Sequence, residues 1–186
     1  MSQGRFEESL REGMLSLPQD LKAMLRVMDD PDLDDGGRVI ASGALLHVLS
    51  AANAIPGITG TLAFADDVIV LRMALEKIAE SSPDVVARHR EEYPEVYALW
   101  GEQLDAVNDT FGDLMAVLDK VIDGLPNITH QGHSAKDCAQ TEDDGTWLYD
   151  SVQEAIVEMF EFDEDEVARS LKNADDLATH LRQRAT

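Results

Sequence analysis

Charge is missing from one long stretch of this chain: residues 39–65, VIASGALLHVLSAANAIPGITGTLAFA, hold no Asp, Glu, Lys or Arg, although charged residues make up 28% of the protein. Cysteine is almost as scarce. Cys138 stands alone, so no intramolecular disulfide forms, and a reducing, cytoplasmic setting is expected. Basic residues number 15 against 37 acidic ones, giving a formal net charge of −22 and a pI near 4.3. Such a field repels phosphate backbones and anionic headgroups, which argues against nucleic acid and favours solubility, a cationic partner or divalent ions. The opening residues lack a basic segment followed by an apolar one, so secretion is not expected. There is no Gly-rich phosphate loop, no H-E-x-x-H and no G-x-S-x-G. An enzymatic role has no motif behind it.

The uncharged island is long enough to raise the question of a membrane. Its first segment carries Ser42, Gly43, His47, Ser50 and Asn53, and Pro56-Gly57 interrupts it short of the ~20 apolar residues that a spanning helix needs. The second apolar stretch contains Asp66, Asp67, Arg72, Glu76 and Lys77, where a charge at mid-bilayer costs roughly 2.5–3.5 kcal/mol on insertion scales. A soluble hairpin buried inside the protein is therefore expected, with peripheral membrane contact through the same hairpin as the alternative.

Helical periodicity dominates the rest of the chain. Phe6, Leu10 and Met14 recur every fourth residue, and Leu21, Met24, Leu25 and Met28 share a face beyond Pro18, which predicts a helix broken near Leu17-Pro18. Residues 29–37 read as a turn-rich linker in which Asp34 or Asp35 caps the next helix, expected over 37–53. A third helix is expected over 62–81, capped by Thr59 or Thr61. Ser82-Pro83 and Pro94 each mark a helix start. From there to Leu125, the positions Tyr97, Trp100, Leu104, Val107, Phe111, Leu114, Leu118, Val121 and Leu125 alternate steps of three and four. This predicts one long helix with a heptad seam about 45 Å long, covered either by the rest of the domain or by a second copy of the chain. Residues 126–145 read as a long polar loop. Helical spacing resumes over 146–160, and Asp163 with Glu166 forms an acidic capping box for a last helix carrying Val167, Leu171, Ala174, Leu177 and Leu181.

The residues from Ser50 to Asp67, with flanking helices out to about Ile78, resemble the bacterial YkvA-like domain of unknown function, a helical hairpin with a Pro- and Asp-rich connection. Ser50, Ile55, Pro56, Leu62, Asp66 and Asp67 match that pattern without a gap. Ala51 and Gly60 stand where the family usually has proline, and Asn53 and Gly57 where it usually has loop acids. The resemblance implies a fold element around residues 42–78 and, since the family has no agreed reaction, no activity.

Three groups of residues are candidate sites. Asp66, Asp67 and Asn53 surround the hairpin loop. Neighbours on a helix diverge by about 100°, so the two acids are not expected to chelate one ion. Asp67 is expected to pin the loop, with Asn53, loop N–H groups, His47 or Arg38 as donors, and Asp67→Asn is expected to lose a kcal/mol or more. Asp30, Asp32 and Asp34 alternate as calcium ligands do, but Asp35 and Ala41 occupy the positions that need glycine and glutamate, so a solvated linker is expected. His130, His133 and Cys138, with Asp137, Glu142 and Asp143 nearby, have the ligand types of a zinc site in a spacing that matches no established one.

The expected architecture is a single all-α bundle of about seven helices, its hairpin at about 37–81 packed against the long helix. The expected function is that of a non-enzymatic interaction or regulatory protein, working through helix surfaces with a protein partner or as a homodimer along Tyr97, Trp100, Leu104, Phe111 and Leu118. The alternatives are a membrane-peripheral protein and a metal-dependent enzyme built on the His130/His133/Cys138 loop. No cofactor is expected beyond zinc at that loop.

Overall fold

In the computed structural model, which describes residues 2–185, the first helix, α1 (Ser2–Met28), continues through Pro18 where a break was expected. A proline inside a helix loses one backbone hydrogen bond and crowds the preceding turn, at about 3 kcal/mol. Met14, Leu17, Leu21 and Met24 bury completely along one side of α1, each contributing about 1.5–3 kcal/mol. Tertiary burial outweighs the local cost.

The uncharged island forms a hairpin of α2 (Asp35–Leu49) and α3 (Phe64–Ser81), packed against one another and against α1. Asp34 caps α2 as expected, its carboxylate accepting the Gly37 N–H. Neither threonine caps α3: a 3₁₀ turn, Gly60–Ala63, precedes it without a side-chain cap, and the Thr61 hydroxyl donates instead to Glu166. Two glycines allow the layers to approach closely. A Cβ on Gly13 would lie 2.5 Å from Val68 of α3, and one on Gly43 would lie 2.3 Å from the Leu125 carbonyl oxygen.

The expected long helix does not exist. α4 (Pro83–Glu92) and the single turn α5 (Pro94–Tyr97) meet at Tyr93, held outside helical geometry by the proline that follows it. A turn at Ala98 and Leu99 separates α5 from α6 (Trp100–Phe111), which ends at Gly112 with φ of 51° and ψ of −121°, a conformation open to glycine. A 3₁₀ turn then leads into α7 (Met115–Gly124). The seam residues Tyr97, Trp100, Val107, Phe111, Leu118 and Leu125 are buried in the chain's own core, while Leu104, Leu114 and Val121 pack partly buried against it. Most of the seam expected to meet a second copy therefore packs inside the chain itself, with partial exposure at Leu104, Leu114 and Val121. The heptad spacing reflects short helices wrapping an internal core.

Residues 126–145 are folded as well. Strands β1 (Thr129–His130) and β2 (His133–Ser134) pair antiparallel across Gln131 and Gly132, both at positive φ, as a tight hairpin turn requires. Helix α8 (Ala135–Gln140) follows, capped by Ser134, and α9 (Glu142–Glu158) begins at Thr141, whose hydroxyl accepts the Asp144 N–H. The expected loop is structured because its polar residues serve as caps. The last helix is also divided, into α10 (Glu164–Ser170), a 3₁₀ turn and α11 (Asp176–Ala185), with all five of its expected apolar residues buried. Asp163 caps α10 by accepting the Glu166 N–H, and Phe64 at the start of α3 meets Phe160 and Phe162 edge-on.

The acidic linker is solvated only in part: Asp29, Asp32 and Asp35 are exposed, but Asp30 is not. Asp30 is buried between α2 and α4, its Oδ2 lying 2.7 Å from Arg88 Nη2 and 2.8 Å from His89 Nε2, while Oδ1 accepts the Asp32 N–H. Ser82, just before α4, makes no side-chain cap; its hydroxyl donates to Asp34 at 2.7 Å and ties the start of α4 to the start of α2. Burial pushes the Asp30 carboxyl up, but hydrogen bonds from Arg88, the Asp32 amide and His89 outweigh it and bring it down to about 2.

Gly43→Ala is expected to destabilise the protein by about 1–3 kcal/mol or more, since the new methyl meets backbone at Leu125. Gly101→Ala, in an open position on α6, is expected to stabilise it by about 0.4–1 kcal/mol, and urea denaturation of both variants checks the two signs. Because folding lowers the Asp30 pKa, its stabilisation is full above about pH 4 and is lost as pH falls toward about 2. The gap between wild type and Asp30→Asn in denaturation midpoint is therefore expected to close over that window, and a gap constant down to pH 2 would exclude this linkage.

Candidate functional site

The connection between α2 and α3 is held from inside by one carboxylate. Asp66, in the first turn of α3, is fully buried; its Oδ1 accepts the Ile55 N–H at 2.8 Å and its Oδ2 the Ala54 N–H at 3.0 Å. His47, near the end of α2, places Nε2 2.9 Å from the same Oδ2. The loop carbonyls are held from the other side, where Arg184 of α11 donates to Asn53 O at 3.1 Å and Ala54 O at 2.9 Å. The Asn53 side chain donates to the Ile58 carbonyl at 3.5 Å and, among the described residues, does not reach Asp66 or Asp67. Arg38, an expected donor, is directed elsewhere, to the carbonyls of Met28, Asp30 and Leu33.

The pin is thus Asp66, and the expectation for Asp67 is corrected. Asp67 is 5% exposed, and among the described residues no donor reaches its carboxyl. Burial first, and then the neighbouring Asp66 carboxylate, push it well above the ordinary carboxylate range. The two acids also converge more than their helical offset suggested. Ligand atoms of His47, Asp66 and Asp67 all lie within 4.8 Å of one another, the one such group of three found among the described residues.

The His130, His133 and Cys138 set does not come together as a metal site. The His133 ring stacks on Trp147 at 3.7 Å and its Nδ1 contacts Asp144, whereas the His130 ring stands 6.4 Å from the same tryptophan. Burial, reinforced by Asp144 and Asp137, raises the Cys138 thiol to about 11. It stays protonated at neutral pH, which does not suit a nucleophile.

A second buried cluster had no signal in the sequence. Arg72 of α3 is enclosed, with Nη2 2.9 Å from Asp20 Oδ2 of α1, Nη1 3.0 Å from the Val68 carbonyl and Nε on Gln103 of α6; its guanidinium lies 4.9 Å from the Trp100 ring. Burial raises the Asp20 carboxyl and lowers the Arg72 guanidinium, each opposed by the other partner's charge. Such a pair joins α1, α3 and α6, and breaking it strands a buried charge.

On the surface, α3, α6 and α7 frame a cleft of about 440 Å³. Met73, Leu104, Met115 and Ile122 form its buried and half-buried apolar lining, and the exposed acids Glu76, Glu80, Asp119 and Asp123 stand around it. Lys77, the one cation lining it, is held by Glu80 at 3.1 Å and Asp123 at 3.7 Å. No helix among the described residues is long and apolar enough to cross a membrane.

Compared with family models, curated proteins and solved structures, the chain gives no match. The likeness to the YkvA-like hairpin rests on the residues quoted for it.

In chelator-treated protein, Asp66→Ala is expected to cost about 3 kcal/mol or more, since two buried N–H groups lose a charged acceptor. Asp67→Asn is expected to cost less than about 1 kcal/mol or to stabilise, because it removes a buried carboxyl that has no donor. Urea denaturation at neutral pH compares the two. The opposite ranking would return the pin to Asp67.

Proposed function

We propose that this protein is a non-enzymatic interaction protein, built around a YkvA-like hairpin, whose cleft between α3, α6 and α7 receives a basic, amphipathic segment of a partner protein. The observation that carries this reading is the pairing of an apolar lining with an acidic rim in one cleft. Apolar contacts at Met73, Leu104, Met115 and Ile122 supply affinity, and the two methionines adapt to side chains of different shape. Four carboxylates outnumber Lys77 and Arg90, which pair with Glu80, Asp123 and Glu76, and the remaining negative charge selects a cationic segment and speeds its approach, in a protein whose net charge is already −22. A helix with one apolar and one Lys/Arg-rich face meets both requirements. The same charge opposes anionic lipid, and the hairpin that a membrane-peripheral role would use lies inside the bundle.

The test is titration of a labelled Lys/Leu amphipathic peptide, followed by fluorescence anisotropy. Wild type is expected to bind it, more weakly as salt rises, and Glu80→Lys with Asp119→Lys is expected to reduce affinity by roughly tenfold or more. Reversing Glu154 and Glu158 on α9 is expected to leave affinity within about twofold. Equal losses at both places, or equal binding of an acidic peptide with the same apolar pattern, would defeat the proposal.

A further inference from the structure

We infer that His47, Asp66 and Asp67 form a binding site for one divalent transition-metal ion of the zinc class, enclosed beneath the α2–α3 connection. Three observations meet there. The ligand atoms of one imidazole and two carboxylates lie within 4.8 Å of one another, and tetrahedral ligands about 2.0–2.2 Å from zinc stand roughly 3.3–3.6 Å apart. Small side-chain adjustments close that difference. All three residues are buried, at 3%, 0% and 5% exposure, whereas a cluster of acids on a surface would be solvated.

The second observation is Asp67 itself. A buried carboxylate is ordinarily paired, hydrogen-bonded or on a metal, and no donor among the described residues reaches this one. Its oxygen faces Asp66 and His47, the two groups with which a cation would be shared.

The third is the support around Asp66. Metal-ligating carboxylates are themselves held by hydrogen bonds that fix their orientation, and the Ala54 and Ile55 amides do this for Asp66 at 3.0 and 2.8 Å. One nitrogen and two oxygen ligands favour zinc and similar ions over calcium and magnesium, which take oxygen ligands. On binding, the ion replaces the hydrogen bond between His47 Nε2 and Asp66, and any proton held by that pair or by Asp67 leaves to solvent. The inference is independent of the cleft and its partner.

Zinc sulfate titrated into chelator-stripped full-length protein, in competition with a chromophoric chelator, tests it. Wild type is expected to take up one zinc per chain and to show a higher thermal midpoint when loaded. Asp67→Asn, an isosteric change that leaves the Asp66 hydrogen bonds in place, is expected to weaken zinc binding by at least roughly tenfold and to abolish the thermal shift. His47→Gln is expected to do the same, and Asp67→Asn carries the test alone if that variant fails to fold. The double variant His130→Gln/His133→Gln is expected to keep both responses. Absence of stoichiometric zinc in wild type, undiminished binding in Asp67→Asn, or loss confined to the His130/His133 variant would overturn the assignment.

Discussion

The backbone amides of Ala54 and Ile55 lie buried where α2 turns into α3, and a buried N–H without an acceptor costs about as much as many whole contacts contribute. Asp66 satisfies both with one carboxylate. The rest of the hairpin depends on this closure, because it sets where α3 begins relative to the end of α2 and therefore which apolar faces meet. With the turn fixed, Ile55 and Ile58 seat in the core, Phe64 meets Phe160 and Phe162, and the loop carbonyls face Arg184 of α11. An uncharged segment that supplies few polar side chains of its own is thus held by charge from α3 on one side and from the last helix on the other.

The same economy recurs elsewhere in the bundle. Arg72 and Asp20 join three helices through one buried pair, and Asp30 joins the α1–α2 linker to α4 through Arg88 and His89. In each case residues far apart in sequence neutralise one another, and the remaining acids face outward. That division explains how a chain of net charge −22 folds around an apolar hairpin. Apart from the buried Asp66 and Asp67 pair, self-repulsion is left to the surface, where water screens it. Asp67 departs from this rule as a buried acid without a donor, which sets it apart from every other interior carboxylate described above.

Much of the fold was legible before any coordinate. The all-α class followed from the period of the apolar residues, and the starts of α2, α4, α5 and α10 were marked by Asp34, Ser82-Pro83, Pro94 and Asp163. The heptad run from Tyr97 misled because an internal core and a partner helix demand the same spacing. Gly112 held the information that the helix ends there, but a glycine inside a periodic run is also tolerated in helices, and its positive φ is a product of packing. Pro18 erred in the other direction, since local cost is visible in sequence and the burial that offsets it is not.

The sequence by itself determined the helical class, the starts of α2, α4, α5 and α10 and the withdrawal of most of residues 39–65 from water, because periodicity, capping chemistry and hydrophobicity act over a few neighbouring residues. For the pin of the hairpin it pointed to Asp67, one residue away from the acid that serves. Only the tertiary structure decided that Asp66 takes the amides while Asp67 is left without a donor, that Arg72 faces Asp20 across 52 positions, and that the histidines and cysteine of the β-hairpin stay apart. Those outcomes depend on how each helix is rotated against elements distant in the chain. A step of one residue turns a side chain by about 100°, so adjacent acids that look interchangeable in sequence meet different surroundings.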